Sequence, residues 1–375
     1  MQSNNVGVFF ALVNAGLWEK EVLLSPFGEI DFDEVYRIAE EQSVEGIVAA
    51  GLDHVIDIKI PQKIKLTFVV TALQIEQRNE AMNAFVEDLY RRMQRTGLYA
   101  ILMKGQGIAQ CYERPLWRTA GDIDLLLNED SYEQAKKWFR LFSQIDEDEN
   151  LFRKRLNLNV DSWDVELHGT MRGELGGAID RLIDEVQSDI FYGGNVRSWN
   201  NGQTTVFLPS PNGDVIFVFT HILQHFFRGG IGLRQICDWC RLLWTYRSEL
   251  DLRLLGSRIK KAGITSEWKA FAAFAVEYLG MPKDAMPMYS PNIKWKKKSE
   301  KIRSYVLNVG NFGHNRDMSY KSQSPFFKRM MISLKYRTSD FAKQVTVFPM
   351  DAVRAYFYIW GTGFKVVAKR LLSKR

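Results

Sequence analysis

The sequence has few cysteines, no long apolar run and no basic leader. Only three cysteines occur among its 375 residues, which excludes a disulfide framework as the source of stability. The longest uncharged apolar stretches, 6–18, 215–227 and 355–364, are all shorter than the ~20 residues of a membrane-spanning helix. No Lys or Arg precedes Lys20, so the apolar N-terminus lacks the basic segment of a secretory signal. We therefore expect a cytoplasmic protein without a transmembrane helix.

The composition is that of a folded globular chain. Hydrophobic residues make up 46% and charged residues 25% of the sequence, a balance that excludes a wholly disordered, collagen-like or coiled-coil protein. One hydrophobic core rarely serves a chain of this length, so we expect two or three domains.

Positive charge is concentrated in the last quarter of the chain. Residues 291–375 hold nineteen Lys and Arg against four Asp and Glu, a net charge of +15. Because the whole chain carries +6, residues 1–290 carry −9. This asymmetry bears on polyanionic partners rather than on the fold.

Residue patterns divide the chain into four regions. Apolar residues at helical spacing predict that residues 1–96 are helical, and one long helix ending at Gly97 is indicated by Leu66, Val69, Leu73, Met82, Phe85, Leu89 and Met93. Residues 97–210 alternate helical patterns with short apolar runs typical of buried strands: 99–103, 123–127, 165–167 and 204–208. Helical patterns return in 211–290, and three prolines separate them from the basic region 291–375.

The most informative segment is the strand that contains Asp122 and Asp124. Side chains alternate along a strand, so these two carboxylates project from one face while Ile123 and Leu125 point to the other. Carboxylates this close repel each other unless a cation lies between them, and carboxylate oxygens suit Mg²⁺ or Mn²⁺. The alternative is an aspartate that caps the strand beside a second aspartate in solvent.

A later strand adds a third acid. Asp164, Glu166 and His168 share one face of the run 163–168. If this strand lies beside the first, three carboxylates could hold two metal ions roughly 4 Å apart, an arrangement that activates an attacking oxygen and stabilises a leaving phosphate. The alternatives are a solvated strand face for Glu166 and a hydrogen-bonded strand end for His168.

A glycine turn follows the strand 99–103. In Lys104-Gly105-Gln106-Gly107, glycine allows backbone amides to approach a phosphate, and the lysine supplies a positive charge. The turn is neither a Walker loop nor a dinucleotide fingerprint, because the required Gly-Lys-Ser/Thr and the third glycine are missing. Taken alone, it would be a plain tight turn.

A zinc site is the weaker interpretation of a second group of residues. His221 and His225 share a helix face, and Cys237 and Cys240 form a CxxC on the next helix. Both segments are dense with apolar residues, and no second cysteine pair is present.

Together these motifs resemble a known family. A strand ending in glycine, an Asp-hydrophobic-Asp strand and a hydrophobic-acid-hydrophobic strand are similar to the nucleotidyltransferase superfamily that includes DNA polymerase beta. Over about residues 97–245 the chain more narrowly resembles the bacterial uncharacterised nucleotidyltransferase family. The residues that carry this resemblance are Leu102-Met103-Lys104-Gly105, Arg118, Gly121-Asp122-Ile123-Asp124-Leu125-Leu126, Val165-Glu166-Leu167-His168, His221, His225, Gly232-Leu233-Arg234 and Cys237-Asp238.

The resemblance implies an α+β fold, with a small mixed-sheet nucleotidyltransferase core flanked by N-terminal and C-terminal helical regions. It implies that the catalytic metal ligands, for Mg²⁺ or Mn²⁺, are Asp122, Asp124 and Glu166. The superfamily usually has Gly-Ser or Gly-Gly where this chain has Gly105-Gln106, so nucleotide binding is expected of Lys104, Gly105 and Arg118. A supporting polar network is expected of His168, His221, His225, Arg234 and Asp238, with Arg234 and Asp238 paired at i, i+4.

The function expected on this basis is transfer of NMP from an NTP such as ATP to an acceptor hydroxyl of a small molecule, a protein or RNA. The competing hypothesis is a non-catalytic binding protein that retains the fold and acts through its basic C-terminal region.

Three interpretations of that basic region remain open. Its lysines, including 296–298, lie among aromatic residues that could stack on single-stranded nucleic acid. Residues 352–375 alternate apolar and basic positions as in a helix lying on an anionic membrane, which would place the protein at the inner membrane face. The third interpretation is that this segment docks on the acidic remainder of the chain.

Overall fold

The structure is a computed structural model that describes residues 2–145, 149–150, 154–173, 175–311, 326–358 and 361. Its helices are α1 (Gln2–Trp18), α2 (Phe32–Gln42), α3 (Glu45–Leu52), α4 (Gln62–Arg95), α5 (Gly105–Ala109), α6 (Glu129–Phe139), α7 (Gly177–Phe191), α8 (Pro211–Arg228), α9 (Leu233–Thr245), α10 (Leu252–Lys261), α11 (Thr265–Leu279), α12 (Ile293–Val309) and α13 (Phe326–Val345). Residues 349–358 are also helical. Within the described residues, no helix is both long enough and apolar enough to cross a membrane.

Seven strands form one mixed sheet: β1 (Ile101–Met103), β2 (Ile123–Leu126), β3 (Gln144–Ile145), β4 (Arg155–Val160), β5 (Trp163–His168), β6 (Val196–Asn201) and β7 (Thr204–Pro209). Their order is β3-β4-β5-β2-β1-β7-β6, with β2 parallel to β5, β1 parallel to β7 and the other neighbours antiparallel. The four predicted strands are β1, β2, β5 and β7. A mixed sheet with helices before, within and after it is consistent with the predicted α+β class.

The strands β3, β4 and β6 were not predicted, and β4 pairs with β5 in a tight hairpin. Val160 faces Trp163 across the hairpin, and the two residues between them, Asp161 and Ser162, have φ values of 50° and 71°. Positive φ at both central positions is the geometry of a type I′ turn, whose twist matches that of the flanking strands. The alternation of polar and apolar residues along β4, Arg-Leu-Asn-Leu-Asn-Val, is the sequence signal that could have identified it.

The two faces of the sheet pack against different helices. Leu125, Val165 and Leu167 belong to an apolar cluster with α6 and the C-terminal half of α4. Met103 and Leu126, on the opposite face, belong to a larger cluster with α7, α8 and α9. Because side chains alternate, every second residue of β2 and β5 projects toward this second face.

The larger cluster also joins the N-terminal helices to α11, α12 and residues 347–355. The backbones of α1 and α3 touch where they cross. A Cβ atom on Gly16 would lie 1.9 Å from the carbonyl oxygen of Ile47, and one on Gly51 would lie 2.0 Å from that of Leu12. Only glycine fits at these two positions. The division of the chain at residues 96, 210 and 290 stays a prediction.

The predicted long helix is present as α4, but its apolar residues do not all face the core. Leu66 and Leu73 are more than half exposed, and Val69 is also exposed, whereas Met82 and Leu89 are fully buried. The reason is that the two halves of α4 pack into different apolar clusters. The first half of α4 is buried through a different stripe, which consists of Ile64, Phe68 and Ala72.

The described part of the basic region is attached through apolar packing. Phe348 is almost fully buried and lies within 5.6 Å, ring centre to ring centre, of Phe226 on α8. The Gln344 side chain donates to the carbonyl oxygen of Phe226 at 2.6 Å, and Ala352 is fully buried. Of the predicted amphipathic segment 352–375, only 352–358 and 361 lie within the described residues.

We predict that Phe348→Ala lowers the free energy of unfolding by about 3–5 kcal/mol, because the substitution leaves a cavity in the core. Phe357→Ala is the matched control, since this side chain is 70% exposed, and its expected change is within about 0.5 kcal/mol. Denaturant unfolding of both variants measures the difference. Equal stability of the two variants would contradict apolar docking of the basic region.

Candidate active site

A cleft opens beside the ends of β1 and β2 and is walled by α8 and α9. Its titratable lining residues are Lys104, Arg118, Asp122, Asp124, Arg155, Glu166, His221, His225, Arg234 and Asp238. Apart from Arg155, all of these were candidates from the sequence. The topology therefore brings distant segments of the chain to one concave surface.

Two carboxylates meet here because β2 and β5 are parallel neighbours. Asp124 is paired in register with Glu166, so both side chains leave the same face of the sheet side by side. His168, two residues further along β5, places its Nε2 2.8 Å from Asp124 Oδ1 and 3.3 Å from Glu166 Oε2. Across the described residues, this trio is the one group of three or more metal-ligating side chains with their ligand atoms within 4.8 Å of one another.

Cationic side chains balance the two carboxylates. Lys104 Nζ lies 2.9 Å from Asp124 Oδ2, and Arg155 on β4 forms an ion pair with Glu166. Burial disfavours the charged form of Asp124, but the Lys104 ammonium and the hydrogen bond with His168 outweigh it and hold the Asp124 pKa well below its usual range. Asp124 is therefore ionised at neutral pH.

The same contacts favour the charged forms of His168 and Lys104. Burial opposes protonation of His168, but its hydrogen bonds with Asp124 and Glu166 raise its pKa above the ordinary value. Burial likewise opposes the charge of Lys104, and the attraction of Asp124 and Asp122 raises its pKa.

Asp122 lies apart from this group. Its side chain is exposed at the cleft, and its carboxylate does not belong to the cluster that contains Asp124. The negative charge of Asp124 raises the pKa of Asp122. Asp122 thus faces the cleft without an ion pair to any described residue.

The turn after β1 is strained at Lys104. Its backbone has φ 54° and ψ −145°, a region that residues other than glycine rarely occupy and that costs about 1–3 kcal/mol. The turn is held by hydrogen bonds from the amides of Gly107 and Ile108 to the Lys104 carbonyl oxygen. Gly105 follows with φ 45°, which suits glycine. The strained turn directs the lysine ammonium to Asp124.

Gln106, where the superfamily usually has glycine or serine, points away from the cleft. Its side chain is buried and donates to the carbonyl oxygen of Asn79 on α4 at 3.3 Å. Asn79 in turn donates to the carbonyl oxygens of Leu116 and Arg118. The departure from the superfamily pattern therefore connects the turn to α4 and does not obstruct the cleft.

Arg118 forms a buried bidentate pair with Asp238. Its Nε and Nη2 atoms lie 2.8 and 2.7 Å from the two carboxylate oxygens, and the Tyr112 hydroxyl donates to the same carboxylate at 2.8 Å. The predicted i, i+4 pair of Arg234 with Asp238 is wrong. Arg118 occupies both oxygens of that carboxylate, and Arg234 donates to the Thr119 carbonyl oxygen at 2.9 Å instead.

His221 and His225 form a neutral wall of the cleft. Their Nε2 atoms are 3.0 Å apart, and burial, together with the positive charge of Lys104, lowers the pKa of His225 to about 3. Burial also lowers the pKa of His221 well below its ordinary value. On α9, Cys237 and Cys240 are fully buried, and burial raises the pKa of both thiols.

Sequence reasoning missed Arg155 and Tyr112. Arg155 was not a candidate because β4 was not predicted, although the alternating apolar residues of that strand could have indicated it. Tyr112 gave no signal, because its hydroxyl meets Asp238 from a position 126 residues earlier in the chain.

The donor set fits a divalent metal ion. Asp124 and Glu166 offer carboxylate oxygens, with the Asp122 carboxylate on the same cleft, and His168 forms a hydrogen bond with Asp124. Oxygen-rich sets of this kind suit Mg²⁺ and Mn²⁺.

Comparison with known proteins gives one family match. A family model described as an uncharacterised nucleotidyltransferase matches residues 28–280, which include the sheet, α8, α9 and all the site residues named above. Neither a curated protein nor a solved structure gives a significant match.

We predict that Arg118→Met destabilises the protein by about 3–5 kcal/mol, because it leaves the Asp238 carboxylate buried without its cation. The double variant Arg118→Met/Asp238→Leu should recover at least half of this loss, since no buried charge is left unpaired. Denaturant unfolding compares the two. A double variant that is no more stable than Arg118→Met would show that the pair is not the source of the loss.

Proposed function

The chain belongs to the uncharacterised nucleotidyltransferase family, and we propose that it is a metal-dependent enzyme that transfers NMP from an NTP to an acceptor hydroxyl. The observation that carries this proposal is the in-register pair of Asp124 and Glu166 on adjacent parallel strands, with Lys104 directed to the same point by a strained turn. Strain of this kind is concentrated at functional sites.

In this proposal, the metal is held by Asp122, Asp124 and Glu166. Bound Mg²⁺ or Mn²⁺ supplies a Lewis acid that offsets negative charge on phosphate oxygens. His168 positions the carboxylates of Asp124 and Glu166 through its Nε2–H, since such outer contacts fix the orientation of ligating groups.

The reaction is a displacement at the α-phosphorus. Glu166 accepts the proton of the acceptor hydroxyl, and the hydroxyl oxygen forms a bond to the α-phosphorus. The bond from that phosphorus to the bridging oxygen breaks, and pyrophosphate leaves. The ammonium of Lys104 supplies a charge-assisted contact to a phosphate oxygen, and Gly105 allows close approach of the backbone.

Arg118 is the second nucleotide-binding residue in the proposal, although its main partner is Asp238. Because that pair is bidentate and buried, Arg118 brings little net positive charge to the cleft. The proposed NTPs include ATP, and the proposed acceptors are a small molecule, a protein and RNA.

An apolar stripe supports a second function for the basic region, which is binding to an anionic membrane surface. Met350, Val353 and Phe357 are all exposed, and their spacing places them on one face of the helical residues 349–358. This stripe leads into the basic sequence 361–375, and apolar and basic residues together favour anionic lipid. On this proposal the protein lies at the cytoplasmic face of a membrane.

Nucleic acid has less support at this region. The ring of Trp295 is within 6 Å of the amino groups of Lys269, Lys294 and Lys298, and Phe348 is buried. The buried ring of Phe348 is not available to stack on a base. RNA binding by the basic region is therefore kept as a proposal that the vesicle experiment below also tests.

We predict that Asp122→Asn and Asp124→Asn each reduce NMP transfer by more than about 100-fold, since loss of a group that merely supports a metal ligand already costs 10–100-fold. Asp164→Asn is the control, because this carboxylate projects from the same face of β5 but does not line the cleft. Transfer is measured with labelled NTPs and cell extract. Full activity in either of the first two variants would refute the metal-site assignment.

We predict that the protein binds vesicles containing anionic lipid but not neutral vesicles, and that Met350→Ser and Phe357→Ser each weaken this binding several-fold through lost apolar insertion. Leu141→Ser, which removes an apolar side chain of similar exposure elsewhere, should have no effect. Co-sedimentation measures binding. Salt-sensitive binding to tRNA without vesicle binding would favour nucleic acid instead.

A further inference from the structure

The positive charges that line the cleft are almost all paired. Three of the lining cations form ion pairs with described residues: Lys104 with Asp124, Arg155 with Glu166, and Arg118 with Asp238. In each pair a carboxylate within salt-bridge distance balances the cation. These cations can bind a phosphate only in competition with an acid that is already in place.

Arg234 is different. Its Nη1 atom donates to the Thr119 carbonyl oxygen, and among the described residues no carboxylate lies within 4 Å of its guanidinium. Burial, followed by the positive charge of Arg118, lowers its pKa, although an arginine stays protonated. Asp238, which could have balanced Arg234 from the next turn of α9, is taken by Arg118.

An unpaired guanidinium on a half-buried cleft wall is costly unless an anion reaches it. Its planar set of donors matches a phosphate in two-point contact, and among the described residues only the Thr119 carbonyl oxygen accepts a hydrogen bond from it. The neighbouring wall, formed by His221 and His225, is neutral and offers no competing positive charge.

We infer that Arg234 binds a phosphate group of the NTP beyond the α-phosphate, and so binds the pyrophosphate part that leaves. The inference rests on the proposed function, which places the α-phosphorus at Asp124 and Glu166. Arg234 belongs to α9 and contacts neither carboxylate, so its anion lies further along the triphosphate. Arg118 donates to the same Thr119 carbonyl oxygen as Arg234, and its ion pair with Asp238 keeps that carboxylate from balancing Arg234.

The experiment measures affinity for pyrophosphate and for the four NMPs, in the presence of Mg²⁺, by calorimetry. Arg234→Gln should raise the Kd for pyrophosphate at least tenfold, and it should change the Kd of any NMP that binds by less than twofold, because an NMP lacks the distal phosphates. Arg234→Lys should lie between, since lysine keeps the charge but not the two-point contact. Lys260→Gln, which removes an exposed positive charge on α10 outside the cleft, should match the wild type.

An unchanged pyrophosphate Kd in Arg234→Gln overturns the inference, as does an equal loss of affinity for pyrophosphate and NMP. A wild-type protein that binds no pyrophosphate overturns it as well. Thermal unfolding of each variant without ligand separates these outcomes from misfolding, and the Arg234→Lys variant provides a second test if Arg234→Gln does not fold. If pyrophosphate binding depends on Arg234 as expected but no NMP is transferred from labelled NTPs, the proposed transfer is refuted and the phosphate site is retained.

Discussion

The ionised carboxylate of Asp124 is the constraint on which the rest of the cleft depends. It is buried on a β-strand beside Glu166, and two negative charges at that depth are unfavourable without compensation. The compensation comes from three different strands: Lys104 follows β1, His168 ends β5, and Arg155 begins β4. The sheet order, which places β1 and β5 on either side of β2 and β4 next to β5, is what makes this possible.

The ion pairs around the cleft differ in what they contribute. The pair of Arg118 and Asp238 is buried and satisfied in both partners, so it fixes the position of α9 against the turn that precedes β2. The contact of Lys104 with Asp124 is made by a side chain that remains partly exposed, on a backbone that carries strain. A fully buried pair thus lines one part of the cleft, and a more accessible pair lies at the ends of β1 and β2.

The helical regions serve the cleft by packing rather than by charge. One apolar cluster extends from α1 through α8, α9 and α11 to Phe348, so both helices that wall the cleft are anchored in a core that most of the chain helps to build. The net charge of +15 on residues 291–375 does not explain this attachment, because the contacts at Phe348 and Ala352 are apolar.

The sequence by itself determined the elements and the candidate chemistry. Apolar periodicity identified β1, β2, β5, β7 and most of the helices, since the 2- and 3.6-residue repeats reflect burial that each segment undergoes wherever it packs. The alternation of Asp122, Ile123 and Asp124 likewise indicated which face carried the acids. These properties depend on residues that are close in the chain, so the local sequence pattern is enough to predict them.

Only the tertiary structure decided which charges meet. Arg118 lies 120 residues from Asp238, and Tyr112 lies 126 residues from it, so the helical spacing of Arg234 and Asp238 suggested the wrong pair. His168 joined Asp124 and Glu166 because β2 and β5 are parallel and in register, whereas Asp122, only two residues from Asp124, stayed apart. Ion pairing depends on distance in space and on which of the competing partners has the better geometry. Neither can be read from the spacing of residues along the chain.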